Sequence, residues 1–202
     1  MAQYYMLHKP RGCVTARRDE RHKTVMDYFP EDKRDILFPV GRLDRDTEGL
    51  LLVTDDGGLC YDLLMPEKHV TKTYFFWAQG ILTEEKIREI EGGVNIYRNR
   101  QEPTAPAKIE VVGHSTMRGI KDLLGEDDSK VSNRRGDLPV TSGIITITEG
   151  KKHQVKRMIR YGGCRVVYLK RLAMGTLTLD EALAPGEYRP LTEQEVYSLK
   201  NR

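Results

Sequence analysis

The sequence predicts an α+β fold built on a mixed, largely antiparallel sheet flanked by helices. Three observations lead there. Strand signals recur along the whole chain, short helical patches lie between them, and the two do not follow the regular βαβ rhythm of a parallel sheet. The 202 residues suit one domain or two closely packed subdomains, and they suffice to bury a core.

Tyr4 to Leu7 reads as the first strand and Ile36 to Val40 as another. Thr24 to Phe29 suits a short helix stopped by Pro30. Leu50 to Val53 is a continuous apolar run, the pattern of a strand covered on both faces. Leu59 to Met65 is a helical patch ending at Pro66. Thr73 to Gln79 is rich in aromatic residues and reads as a strand. Thr83 caps a helix that runs to about Glu91, where Gly92 and Gly93 stop it, with Ile87 and Ile90 facing inward. Ala107 to Val112 and Gly143 to Glu149 are strands, the second alternating at period two. Lys151 to Tyr161 reads as a helix with Val155, Met158 and Ile159 on one face and Lys152, Lys156 and Arg160 on another. Arg165 to Leu169 is a further strand, and Thr192 to Glu195 is a capping box for a terminal helix. Gly113 to Thr141 is polar and breaks this order; it reads as a mobile insertion in which Ile120, Leu123 and Leu124 can form one helical turn.

Composition narrows the function classes. Thirty-three basic residues against 30 acidic give a net charge of +3, so any nucleic-acid footprint must come from clustering. Two clusters exist: Arg11, Arg17, Arg18, Arg21 and Lys23 near the start, and Lys151, Lys152, Lys156, Arg157 and Arg160 in a C-terminal segment. Cys13, Cys60 and Cys164 are widely separated, which suits reduced thiols in the cytoplasm and argues against structural zinc. No apolar run approaches the ~20 residues of a membrane span, and no Gly-rich phosphate loop occurs. No metal or cofactor site is expected.

The stretch GRLDRDTEGLLLVTDDG, Gly41 to Gly57, sets one carboxylate, Asp44, between Arg42 and Arg45 just before the Leu50 strand. A polar loop anchored by a core strand is a common seat for catalytic groups. The two arginines would favour the ionised form of Asp44. On spacing alone the favoured reading is an aspartate that caps a turn and pairs with surface arginines, because exposed Asp–Arg pairs are common and weak.

This segment resembles the catalytic motif of the pseudouridine synthases, in the RsuA-type branch that modifies ribosomal RNA. That motif reads roughly GRLDxxTxGLLLLTxDG, and Gly41, Arg42, Leu43, Asp44, Thr47, Gly49, Leu50, Leu51, Thr54, Asp56 and Gly57 stand in register with it. HKPRG (His8 to Gly12) is similar to the family's opening motif, KTY (Lys72 to Tyr74) to its second-strand motif, and EGKKHQVKRM (Glu149 to Met158) to its basic C-terminal motif. Leu179 to Val196 resembles the ending of the small-subunit enzymes. The resemblance implies a pseudouridine synthase fold over residues 1–202, with two subdomains and a central active-site cleft. It also implies that the small RNA-binding module usual in such enzymes is missing ahead of HKPRG.

The implied activity is conversion of a uridine in ribosomal RNA to pseudouridine, with the small subunit favoured. The implied partner is that RNA or an assembly intermediate, met by a monomer. Asp44 would be the essential carboxylate. Lys156 would be the cation that keeps it ionised, with Arg157 as a weaker candidate, and Lys9 would have a structural role. Tyr74 would lie against the target base, Val155 would form an apolar wall, and Arg42 would enter the space left by the flipped nucleotide. His153 is not expected to be catalytic. The basic groups Lys152, Lys156, Arg157 and Arg160, with Arg17 and Arg18, would carry phosphate contacts. The alternatives are a large-subunit enzyme, a non-catalytic RNA-binding or ribosome-assembly factor of the same fold, and a carboxylate hydrolase. The last would need a second acid beside Asp44, for which Asp46 and Glu48 are the nearest.

Overall fold

The structure, a computed structural model, describes residues 2–125 and 137–202. The chain divides into two compact units, Met1–Thr73 with Lys170–Arg202, and Tyr74–Leu169. The fold is α+β, and most of its strand pairings are antiparallel.

In the first unit, β1 (Tyr4–Lys9) lies between β3 (Glu48–Thr54) and β9 (Tyr188–Pro190), antiparallel to both. β2 (Phe38–Pro39) also pairs with β3, and it starts later than the Ile36 to Val40 run suggests because Ile36 N and Leu37 N are bonded back to Lys33 O in a turn. The far edge of β3 takes the C-terminal half of β7 (Arg165–Met174) in a parallel pair, and β8 (Leu177–Thr178) turns back on β7. The apolar run in β3 is buried from Leu50 to Val53, as a strand covered on both faces must be. Met6, Leu50 and Leu52 pack with Leu59 and Leu63 of α2 (Gly57–Leu64) and Leu199 of α6 (Glu193–Lys200). Both helices start at side-chain caps, Asp56 for α2 and a Thr192–Glu195 capping box for α6. Thr24 and Asp27 form a capping box for a single 3-10 turn, Val25–Tyr28, followed by the short α1 (Glu31–Arg34).

The second unit carries β4 (Lys72–Gln79), β5 (Lys108–Thr116), β6 (Pro139–Ile147) and the first half of β7, in the order β5-β6-β4-β7. The helix α3 (Glu84–Glu91) is capped by Thr83, with Ile90 buried and Ile87 half-buried. The polar stretch expected as an insertion is structured at both ends. Gly113 to Thr116 pairs with Pro139 to Ser142, continuing the β5·β6 ladder past a bulge at Val111/Gly113. A turn of helix, α4 (Lys121–Leu124), follows, and Ile120 and Leu124 pack with Met117, Val140 and Val167 while Leu123 stays exposed. Polarity hid these ends because β5 is exposed on one face, so its pattern does not read as core. The remainder of that stretch, 126–136, lies outside the described residues.

The basic segment also differs from expectation. α5 spans Gln154–Tyr161, three residues shorter at its start. His153 takes a left-handed conformation at φ 54°, and the Gln154 side chain accepts from Lys151 N, so Lys151 and Lys152 form a turn. Lys152 therefore does not continue a helical stripe with Lys156 and Arg160. Val155, Met158 and Ile159 are buried, as the periodicity predicts.

Candidate active site

The loop that carries Asp44 is fixed from three sides within the first unit. The register of β1 against β3 sets Lys9 opposite Gly49, so the HKPRG and GRLD segments leave the sheet side by side. Lys9 is fully buried. Its Nζ donates to the carbonyls of Thr47 at 2.8 Å, Pro10 at 3.0 Å and Arg45 at 3.5 Å. A buried ammonium is tolerated when its donors are met, and here it gathers backbone oxygens from both segments. The backbone N–H of Gly12 donates to Arg45 O at 2.8 Å, and Arg45 Nε donates back to Gly12 O at 3.1 Å. The Thr15 hydroxyl donates to Leu43 O at 2.8 Å and accepts from Leu43 N at 3.1 Å, clamping the residue before Asp44. Leu43 itself is buried. Thr47 N donates to Asp44 O at 3.0 Å, which closes the turn.

The end of the loop enters β3 through a close backbone approach. Gly49 has φ +113° and pairs with Arg171 of β7; a Cβ there would lie 2.3 Å from Arg171 O and 2.6 Å from Arg171 N. Only glycine fits, which gives a physical reason for the Gly of TEG. Arg171 is buried, and its Nε donates to Leu50 O at 2.8 Å. Glu48 is held between His8 Nε2 at 2.9 Å and Lys170 Nζ at 3.5 Å. Asp56, the second acid of the motif, is structural. It caps α2 through Leu59 N, accepts from the Tyr4 hydroxyl at 2.6 Å and lies 3.0 Å from Lys200 Nζ. The Tyr4 bond, with Leu59 N and Lys200, holds its carboxyl at about 2. Burial, then the nearby Arg171 and Arg202, depress Lys72 of KTY to about 8. Burial raises all three cysteine thiols.

Asp44 is half-buried and Arg42 exposed, while Leu43 and Thr47 on either side of Asp44 are buried. Arg17 and Arg18 are exposed and lean on Asp35, Arg17 through its carbonyl at 2.6 Å and Arg18 through its carboxylate at 2.8 Å. The other predicted site residues belong to the second unit. Tyr74 is buried on β4, one of the alternating inward positions of that strand. Val155 is buried on α5, Lys156 and Arg157 are half-buried, and Lys152 and Arg160 are exposed. The Arg157 guanidinium lies over the Tyr97 ring, 4.5 Å from its centroid. Sequence reasoning missed Thr15 and Arg171 as supports. Nothing in the sequence marks Thr15, and Arg171 follows Lys170 in a strand that also holds Arg165, so its burial was not marked either. No helix among the described residues is long and apolar enough to cross a membrane.

The chain is similar to known proteins of one family. A family model described as RNA pseudouridylate synthase matches residues 3–161. The Bacillus subtilis (strain 168) protein named uncharacterized RNA pseudouridine synthase YtzG is 45% identical over 197 residues, 97% of this chain and 72% of the relative. Ribosomal small subunit pseudouridine synthase A of Salmonella typhimurium is 38% identical over 197 residues, 98% of this chain and 74% of its own. A solved pseudouridylate synthase superposes with a TM-score of 0.81 at 35% identity, covering 98% of this chain and 74% of that one. Human RNA Pseudouridylate Synthase Domain Containing 1, at 15% identity and a TM-score of 0.56 over 99% of this chain and 92% of its own, shares the fold. With the family model spanning most of the chain and relatives this similar, the protein belongs to the RNA pseudouridylate synthase family and is a pseudouridine synthase.

Proposed function

We propose that this chain isomerises a uridine of small-subunit ribosomal RNA to pseudouridine, with Asp44 as the essential carboxylate. The observation that carries the reading is the loop of Asp44. Lys9, Thr15 and the Gly12–Arg45 pair, together with the Gly49–Arg171 approach, hold one carboxylate at a half-buried position. Catalysis of this kind needs such preorganisation, because a group that attacks a ring or sugar carbon must be aimed before the bond breaks. The small-subunit assignment draws on the relatives named ribosomal small subunit pseudouridine synthase A and on the similar ending at Leu179 to Val196.

The remaining roles belong to the same proposal. Tyr74 serves the target base, Lys156 supplies a positive charge and Val155 an apolar wall. Arg42, exposed beside Asp44, suits a side chain that fills the gap left when a nucleotide leaves its stack. Exposed Arg17, Arg18, Lys152 and Arg160 supply phosphate contacts. The whole chain works as one catalytic domain in the cytoplasm. Mapping pseudouridines in ribosomal RNA from cells with and without the gene tests the substrate. Loss of one small-subunit site supports it. Loss confined to large-subunit RNA would overturn it.

A further inference from the structure

Residues 95–103 make an excursion in the second unit that the functional reading has not used. Its base is zipped. Asn95 bridges Pro103, Thr104 N donates to Val94 O at 3.0 Å, and Val94 N donates to the Thr104 hydroxyl at 3.1 Å. Lys151 ties the same base to the turn before α5, donating to Pro103 O at 2.9 Å and standing 3.6 Å from Glu102. The one acid of the excursion thus faces Lys151 and not an arginine of the tip. Its tip carries Tyr97, Arg98 and Arg100, and both arginines are exposed. The Tyr97 ring meets the Arg157 guanidinium at 4.5 Å and that of Arg100 at 5.9 Å. No ion pair joins Arg98, Arg100 or Arg157 to a carboxylate among the described residues.

We propose that this tip and Arg157 form an RNA-backbone contact surface, with Tyr97 positioning the Arg157 guanidinium. The inference rests on the reading of the chain as a ribosomal RNA enzyme and names a further surface for that substrate. Two guanidinium groups gathered at one aromatic ring, with the exposed Arg98 next to it in sequence, on a loop whose base is bonded, present donors to a polyanion. A guanidinium suits phosphate because its planar fork matches the two oxygens. A ring beneath it limits its rotamers without drawing its charge away, whereas a carboxylate partner would compete with phosphate. The partner is the sugar–phosphate backbone flanking the target nucleotide, recognised without regard to sequence.

The test is salt-dependent binding of a labelled small-subunit ribosomal RNA transcript to the full chain, alongside its isomerisation. Each phosphate contact contributes about 0.7 to 0.9 to the slope of log K against log salt. Replacing both Arg98 and Arg100 by Ala should therefore flatten the slope by about 1.4 to 1.8 and weaken binding roughly 30-fold near ~0.1 M salt. Tyr97→Ala should weaken binding and raise the half-saturating RNA concentration, while Tyr97→Phe, which keeps the ring, should restore the parent's behaviour. A double arginine variant with the parent's slope, in a protein whose parent isomerises the transcript, overturns this inference and leaves the substrate reading standing. A parent that neither binds nor isomerises the transcript overturns both.

Discussion

Gly49→Ala tests whether the approach of β3 to β7 holds the Asp44 loop. The added Cβ would stand 2.3 Å from Arg171 O and 2.6 Å from Arg171 N, both backbone atoms that no side-chain rotation can move. The backbone at φ +113° adds a penalty of about 1–3 kcal/mol for any residue with a Cβ. Forcing the strands apart adds about 1–3 kcal/mol of overpacking and weakens the bond from Arg171 Nε to Leu50 O. The sum is a loss of about 2–6 kcal/mol, or roughly 4–24 °C in Tm for a chain of this size. Gly57→Ala is the internal control. A Cβ at Gly57 meets nothing within 4 Å, and the residue opens α2, so stability should hold or rise slightly. Denaturant unfolding and single-turnover isomerisation, measured on both variants, should show Gly49→Ala impaired in each and Gly57→Ala close to the parent. A Gly49→Ala protein melting within about 2 °C of the parent would refute the reasoning.

Three further outcomes concern other side chains. Asp56→Ala should lower stability by about 2 kcal/mol at neutral pH, since it removes the α2 cap and the acceptor of the Tyr4 hydroxyl. The folded carboxyl sits at about 2, below its ordinary 3.8, so its contribution is complete above about pH 5 and is lost as pH falls through about 2. Unfolding curves of parent and variant should therefore converge in acid, and a gap of constant size down to pH 2 would contradict the assignment. Lys156→Met should reduce single-turnover isomerisation by at least ~100-fold and Lys156→Arg much less, because the charge is kept. Arg157→Met should act mainly on RNA affinity, since Arg157 is seated on Tyr97; the reverse ranking in a single-turnover assay would shift the catalytic position by one residue.

Much of this was legible in the sequence wherever a local rule and burial agreed. The Leu50 run, the Thr83 and Thr192 caps and the buried face of α5 all follow from short-range patterns. The α5 start was misplaced because a left-handed His153 is a single backbone choice that periodicity does not record. The β5 and β6 extensions were missed because a strand with one solvated face and a bulge at Val111/Gly113 lacks a steady period. The motifs were readable, but not the contacts that hold their backbone. Lys9 lies 38 residues from the Thr47 carbonyl it holds, and Arg171 lies 121 residues from Leu50. Spacing cannot show such partnerships; only the pairing of β1, β3 and β7 brings them together.

Tritium release from RNA labelled at carbon five of uridine, measured with Asp44→Asn, tests the central claim most directly. Asparagine keeps the shape and can keep the backbone turn from Thr47 N to Asp44 O, but it removes the charge and the nucleophile. The account predicts no detectable release above background, with RNA affinity within a few fold of the parent and an unchanged melting profile. Release at a rate near the parent's would contradict it and remove Asp44 as the essential group.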